Sequence, residues 1–312
     1  MTNLNALKQE VSRILKEKTV SMVMGFKDGS LPMRTQPAFF SSPSEVKHLI
    51  ANGFCTNNLA TLIKQFKPDK KIGIICRGCE SSAIRALIIE HQINRENLYL
   101  IGIPCAGLLD WKEISRSFTQ EITSVSEEGN QVTITFSGGE RSLLRSDYLH
   151  RACKQCQHPN PVGTDIVIGE LSPEPEHSIM DELAGKSADE RYEFFKEEAE
   201  RCIRCYACRE ACPMCYCAEC FVDHITPRWC ESMVSKGGTH AWHIIRAFHQ
   251  TGRCVGCGAC ERACPMEIKM EYITDRLNED MRSLYGFEVG ESDTDLPPFA
   301  TFQLDEKNRF LK

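Results

Sequence analysis

A chain of 312 residues is long enough for two domains of ordinary size, and its net charge of −6 leaves no basic footprint for nucleic acid. No apolar run approaches the length that a membrane-spanning helix needs. The 18 cysteines would suggest disulfides in a secreted chain, but no apolar signal segment follows Met1, so the reducing cytoplasm is the expected compartment.

Leu4, Leu7, Val11, Ile14 and Leu15 recur at helical spacing, so residues 4–17 are expected to form an amphipathic opening helix. The apolar run VSMVMGF (20–26), ended by KDGS, reads as a buried strand and a turn. A Pro/Ser-rich stretch follows. Ser44 then heads a helical pattern in SPSEVKHLIANGF, and NNLATLIKQF is another helix, with Cys55 between the two. KKIGIIC (70–76), SSAIRALIIEHQI (81–93) and NLYLIGIPC (97–105) read as strand, helix and strand, the order of a parallel βαβ crossover. Ligands in open α/β sheets gather at the carboxyl ends of strands. Cys76 and Cys105 end these strands and Cys79 lies just beyond the first, so three thiols are expected at one sheet edge.

After Asp110 and Trp111 the pattern alternates, and EITSVSEEG with QVTITFSGGE reads as a hairpin. Cys153 and Cys156 follow in HRACKQCQHPN, ahead of a strand in TDIVIGE. A lone C-x2-C serves zinc, redox and cluster sites alike. Taken with Cys105 and the Cys76/Cys79 pair it supplies thiols for a four-thiolate site, the alternative being ordinary buried thiols. Prolines and acids mark 171–188 as a linker, and ADERYEFFKEEAERC is a helix leading into the cysteine-rich half.

That half contains CIRCYACREACP and CVGCGACERACP, two copies of C-x2-C-x2-C-x3-C-P. Three closely spaced cysteines wrap one cubane, and the fourth is carried away to the other, which is the signature of a two-cluster bacterial ferredoxin. Cys202, Cys205, Cys208 and Cys264 are therefore assigned to one [4Fe-4S] cluster, and Cys254, Cys257, Cys260 and Cys212 to a second. Zinc sites usually pair two knuckles around one ion, which fits these runs poorly. The insert between the motifs places Trp242, Ile245 and Phe248 at helical spacing, so a helical ferredoxin domain is expected in preference to the small βαβ type. Cys215, Cys217, Cys220 and Cys230 in the insert leave a further metal site and simple packing both open. His224, His240, His243 and His249 read as helix-face or capping residues.

The segments KIGIICRGCESSAIRALIIEHQINRENLYLIGIPCAG, CKQCQHPNPVGTDIVIGE and CIRCYACREACPMCYCAEC resemble the beta-subunit family of coenzyme F420-reducing hydrogenases and formate dehydrogenases. The likeness is to its short members with a C-terminal two-cluster ferredoxin domain, which accompany heterodisulfide-reductase-like complexes, and it covers roughly residues 20–285. It implies a third [4Fe-4S] cluster in the α/β domain held by Cys105, Cys153 and Cys156, with Cys79 as the preferred fourth ligand, then Cys76 and Cys55. It also implies FAD in that domain, although the N-terminal segment offers only MGFKDGS and no G-x-G-x-x-G fingerprint occurs.

The expected organisation is an α/β domain with a mixed sheet and a βαβ unit (1–170), a linker (171–188), a mainly helical two-cluster ferredoxin domain (189–285) and a tail (286–312). The expected function is single-electron relay within a cytoplasmic oxidoreductase complex, with hydrogenase-like, dehydrogenase-like or heterodisulfide-reductase-like partners. Two alternatives stand beside it. One is a flavin-containing oxidoreductase using F420 or a similar two-electron donor; the other is a zinc-containing scaffold or sensor.

Overall fold

Helix α1 (Leu4–Lys16) forms where the apolar spacing predicts it. The Asn3 side chain accepts the Ala6 N–H and caps the first turn, and Leu7, Val11, Ile14 and Leu15 form the buried face. The computed structural model describes residues 3–66, 70–173, 183, 185–231 and 233–302, so most of the expected linker and the final DEKNRFLK lie outside the described residues.

The face of α1 covers one side of a five-stranded sheet. Its strands are β1 (Val23–Asp28), β2 (Thr35–Phe40), β3 (Ile72–Cys76), β4 (Leu98–Gly102) and β8 (Ile166–Val167), in the order β2-β1-β3-β4-β8. Only the β1–β2 pair is antiparallel; β3 runs parallel to β1 and β4, and β8 parallel to β4. Every residue of β3 is buried, as expected for a strand with both faces covered. Leu7, Val11 and Ile14 of α1 share one apolar layer with Val23, Ile75 and Ile101. On the opposite face, Ile74 and Leu100 meet Ile84 and Leu87 of α3 (Gly78–Ile89) and Leu59 and Ile63 around α2 (Ala60–Phe66).

Three local expectations give way to tertiary structure. The turn after β1 comes later than KDGS suggests, because Lys27 and Asp28 still pair with Gln36 and Thr35 of β2. The Pro/Ser-rich stretch thus hides a strand, and Pro37 is accommodated because β2 lies at the sheet edge. The pattern after Ser44 yields a single 3₁₀ turn, Glu45–His48; Leu49 is extended and Ile50 bridges to Phe26, so strand pairing prevails over helix. The predicted hairpin, β5 (Ile122–Glu128) with β6 (Gln131–Phe136), gains a third strand, β7 (Gly139–Leu144), whose mostly exposed side chains carry no apolar alternation.

Short helices α4 (Trp111–Arg116) and α5 (Arg151–Lys154) flank this small sheet. The C-terminal part is built from α6 (Ala188–Glu200), α7 (Ala207–Ala211), α8 (Lys236–His249), α9 (Ala259–Ala263) and α10 (Glu271–Tyr285), with no strand among the described residues. No described helix is long and apolar enough to cross a membrane. The two parts share one core: Met214, Val255 and Val289 pack into the same apolar cluster as Ile84 and Leu87.

A buried ion pair locks the start of α3. Glu80, 1% exposed, accepts from Arg77 Nε at 2.8 Å and from the N–H groups of Leu59 and Arg77 at 2.8 and 3.0 Å. Arg77 in turn donates to the carbonyls of Cys55 and Asn57 at 2.6 and 2.8 Å, tying the loop before α2 to α3. Removing one member of such a pair leaves a buried charge uncompensated. Glu80→Ala is accordingly expected to cost about 3–5 kcal/mol in chemical denaturation, and the double change Arg77→Met/Glu80→Leu less than Glu80→Ala alone. A Glu80→Ala protein within about 1 kcal/mol of wild type would contradict this account.

Candidate metal centres

Each cysteine motif folds as the same loop. Between its first three cysteines, two residues adopt the left-handed region: Arg204 (φ 55) and Tyr206 (φ 60) in the first copy, Gly256 (φ 60) and Gly258 (φ 68) in the second. These reversals turn the chain around a common centre and aim backbone amides inward; the Arg204 N–H reaches the Cys202 sulfur at 3.3 Å. Left-handed geometry at non-glycine residues costs about 1–2 kcal/mol each. In the first copy the Arg204 guanidinium offsets part of that cost by donating to the Tyr206 hydroxyl at 2.7 and 3.1 Å. Helices α7 and α9 then run for one turn and stop where Cys212 and Cys264 become extended.

That stop sends the fourth cysteine of each motif to the other one. The Cys202 thiol is raised by burial and by the facing charges of Cys264 and Cys205, with the Arg204 N–H opposing. Burial likewise raises Cys208, against Arg246, and both Cys202 and Cys264 add to it. Around the second motif, Cys254 is pushed up to about 12 by burial, with the Gly256 N–H opposing and Cys212 and Cys257 adding. Cys257 and Cys260, raised first by burial, both feel the charge of Cys212 as well. Packing accordingly places Cys264 with Cys202 and Cys208, Cys260 beside them, and Cys212 with Cys257.

A third gathering lies at the carboxyl edge of the large sheet. Cys105 follows β4, and its sulfur accepts the Gly107 N–H at 3.3 Å. Cys153 sits on α5, pushed up to about 11 by burial, with Arg262 opposing and Cys105 adding. Cys156 is pushed up to about 12 by burial; the His158 N–H opposes, and Cys153, Cys105 and Cys257 add. Cys79, in the first turn of α3, faces Cys257 and Cys156. A helix start favours a thiolate, yet burial raises the Cys79 thiol well above its usual range, so desolvation outweighs the helix terminus here.

The loop from Cys156 is pressed onto α3 at a position only glycine can fill, because a Cβ on Gly78 would lie 2.0 Å from the His158 carbonyl oxygen and 2.6 Å from that of Asn160. A Cβ on Gly258 would similarly fall 2.6 Å from that of Ala152, so α5 and the second ferredoxin loop are also in close approach.

Other cysteines lie elsewhere. Cys76 points into the core, 3.8 Å from the Ile101 carbonyl, because it ends β3 on its helix-covered face and not at the edge expected of it. Cys55 belongs to the same core, where burial raises its thiol to about 11. In the insert, the Cys215 sulfur contacts the Gln250 amide beside Cys212, Cys230 meets the Gly238 carbonyl at 3.2 Å, and Cys217 is exposed. Among the described residues no three Cys, His, Asp or Glu side chains converge as one metal ion requires. Thiolates around a single zinc stand about 3.8 Å apart, from tetrahedral bonds of about 2.3 Å. A cubane takes one thiolate at each iron corner, so its ligands stand further apart.

The carboxyl edge of the sheet also borders a cavity of about 310 Å³. Phe26, Asn52, Arg77, Cys105, Glu127 and Arg145 are among its walls, and Arg145 pairs with Glu127 and donates to the Ala106 and Gly107 carbonyls. Nothing in the sequence pattern marks this cavity, since its walls come from β1, the loop before α2, the loop after β4 and the small sheet.

Residues 69–190 match the family model for the C terminus of the coenzyme F420 hydrogenase/dehydrogenase beta subunit, and residues 248–269 match the 4Fe-4S binding domain. The chain is 27% identical to the F420-dependent formate dehydrogenase subunit beta of Methanocaldococcus jannaschii, an alignment covering 93% of this chain and 92% of that one. It is 24% identical to the F420-dependent formate dehydrogenase 1 subunit beta of Methanococcus maripaludis, covering 91% and 90%. A chain of the F420-reducing [NiFe] hydrogenase complex from Methanosarcina barkeri aligns with a TM-score of 0.40 at 12% identity, covering 49% of this chain and 59% of that one. Residues 69–190 are thus similar to the C terminus of coenzyme F420 hydrogenase/dehydrogenase beta subunits, most of the chain is similar to F420-dependent formate dehydrogenase beta subunits, and the C-terminal part contains a match to the 4Fe-4S binding domain.

Proposed function

We propose that this chain is an electron-transfer subunit of a larger oxidoreductase complex and holds three [4Fe-4S] clusters. Cys202, Cys205, Cys208 and Cys264 would hold the first, Cys254, Cys257, Cys260 and Cys212 the second, and Cys79, Cys105, Cys153 and Cys156 the third. Bound there, the clusters supply one-electron transfer, at potentials that burial and hydrogen bonds to sulfur help to set. The observation that carries the reading is the order of the sets. Cys79 and Cys156 both face Cys257, and Cys212 joins the second motif at the end of the helix that starts from the first. The α/β set, the second ferredoxin set and the first ferredoxin set therefore stand in series.

The residues assign ends to that series. Cys205 is exposed and Ile203, in the same loop, is 52% exposed, so the first set opens toward a docking partner. The α/β set adjoins the cavity beside Cys105. Partners of hydrogenase-like or dehydrogenase-like type suit a chain whose relatives are named as dehydrogenase subunits. A heterodisulfide-reductase-like partner rests on the resemblance of the short cluster-bearing form alone. In this reading residues 1–170 form the α/β domain and 189–285 the ferredoxin domain.

The cavity favours a second reading, in which the chain also binds FAD and takes electrons in pairs from F420. The space lies at the carboxyl ends of parallel strands, where α/β sheets hold ligands. Its polar walls, Asn52, Arg77, Glu127 and Arg145, offer donors and acceptors to a ring system. Flavin released by acid from anaerobically purified protein, in amounts near one per chain, would select this reading; its absence would leave the relay.

Iron analysis tests the main reading, with about 12 atoms per chain expected for three cubanes. Gly78→Ala should displace the loop of Cys156 from Cys79 and lower iron to about eight, leaving the ferredoxin signals in place. A wild-type value near eight in fully loaded protein would remove the α/β cluster. Crossed ligation is tested separately by Cys212→Ser, which should alter the paramagnetic signal of the cluster held by Cys254, Cys257 and Cys260. A change confined to the cluster of Cys202, Cys205 and Cys208 would refute the crossing.

A further inference from the structure

Helix α8 delivers a cation into the middle of the ferredoxin part. Arg246 lies on the buried face of the helix with Trp242 and His243, and is 5% exposed. Its Nη2–H donates to the Cys208 carbonyl at 3.3 Å and its Nη1–H reaches the Met270 sulfur at 3.8 Å, while the buried Nε–H has no partner. Among the described residues no carboxylate forms an ion pair with it. Sulfurs of both sets surround this stretch of α8: the Met270 that Arg246 contacts shares an apolar cluster with Cys208, Cys260 and Cys264, and one turn on the Gln250 amide meets the Cys212 and Cys215 sulfurs. Burial works against the charge of this guanidinium, and the facing sulfurs more than offset that penalty. One turn back, His243 is held neutral, lowered to about 4 by burial and by the cations Arg246 and Arg204.

Of the other buried arginines, Arg77 is bound to Glu80, Arg85 to Asp293 and Arg145 to Glu127, while Arg204 donates to the Tyr206 hydroxyl. A guanidinium buried without a counter-charge is strongly unfavourable, so Arg246 needs negative charge from the sulfur sites on both sides.

We propose that Arg246 is the shared counter-charge of the two ferredoxin sites and holds up the reduction potentials of the clusters in both together. The inference rests on the two-cluster reading of the ferredoxin part. One-electron reduction adds one negative charge to a cluster, and a fixed cation in a dry interior stabilises that form more than the oxidised one. An arginine stays charged at any working pH, so the contribution is constant across pH. The α/β site faces Arg77, already neutralised by Glu80, and serves as an internal control.

The test is potentiometric titration of the full chain, purified anaerobically and followed by electron paramagnetic resonance, for wild type, Arg246→Gln and Arg246→Lys. In Arg246→Gln both ferredoxin clusters should become harder to reduce by about tenfold or more in the equilibrium constant, about 59 mV for a one-electron couple. The α/β cluster should not move. Arg246→Lys keeps the charge and should stay within about threefold of wild type at both sites. Movement of one ferredoxin potential alone, of neither, or of Lys as far as Gln would overturn the role. Should Arg246→Gln fail to load iron, Arg246→Lys decides: loaded clusters at wild-type potentials support the shared charge, and failure to load overturns it. A wild-type protein without two ferredoxin signals would instead sink the cluster reading beneath.

Discussion

Helix α3 is covered on every side, and a helix so placed must find a partner for each polar group it carries. From Gly78 to Leu87 nearly every residue is buried. Glu80 satisfies the loop before α2, the Ser81 hydroxyl donates to the Gly78 carbonyl and accepts the Val162 N–H at 2.9 Å, and Arg85 pairs with Asp293 at 2.6 Å. Glu90, just beyond the helix end, accepts from the Tyr216 hydroxyl and, at 2.7 Å, from Arg253. Apart from the Gly78 carbonyl, each partner comes from outside the helix. The polar groups of one helix therefore hold the sheet, the Cys153–Cys156 loop and the ferredoxin part in register, and Cys79 travels with that helix.

Across the same boundary run further contacts: ion pairs of Arg116 with Glu267 and of Arg151 with Glu261 and Glu271, and a 2.7 Å contact of His158 Nε2 with Glu288. Those of Arg151 are largely buried, and there burial raises the Glu271 carboxyl well above its usual range, with Glu261 and Asp275 adding to it and Arg151 opposing. Arg262 donates to the Cys257 carbonyl at 2.7 Å and to the Thr56 carbonyl at 3.1 Å, so one cation touches both the second ferredoxin loop and the loop beside Cys55. In the proposed series of thiol sets, cations thus stand at both gaps, Arg262 between the α/β and second sets and Arg246 between the second and first.

The parts of this arrangement that sequence reveals are those with short-range rules. The cysteine spacing, the βαβ order, the amphipathic helix α1 and the helical character of the insert follow from local periodicity, although Phe248 of the predicted stripe is exposed and the buried face of α8 runs through Trp242, His243 and Arg246. The edge strand β2 is hidden because Pro37 argues against a strand until its edge position is known, and β7 because its side chains are mostly exposed. Cys76 and Cys79 are three residues apart and look equivalent, but the strand-to-helix change between them sends one sulfur into the core and the other toward Cys257. Arg246 carries no motif at all. It reads as one more basic residue near a helix C-terminus until the fold shows what surrounds it.

Crossed cysteines make the two ferredoxin motifs interdependent. Cys264 faces the first motif and Cys212 the second, so neither set of four exists until α7 and α9 are packed together. That pairing in turn needs α8, whose Trp242 is 1% exposed against Tyr206 and Phe221 and whose Arg246 meets the Cys208 carbonyl. Thiols raised by burial must also lose their protons before they ligate iron. In the two-cluster reading, iron would compensate the thiolate charges that burial alone disfavours, and folding of this part would be coupled to loading. The insert between the motifs is then more than a spacer, since it supplies both the apolar wedge that closes the pair and the cation that tolerates their combined charge.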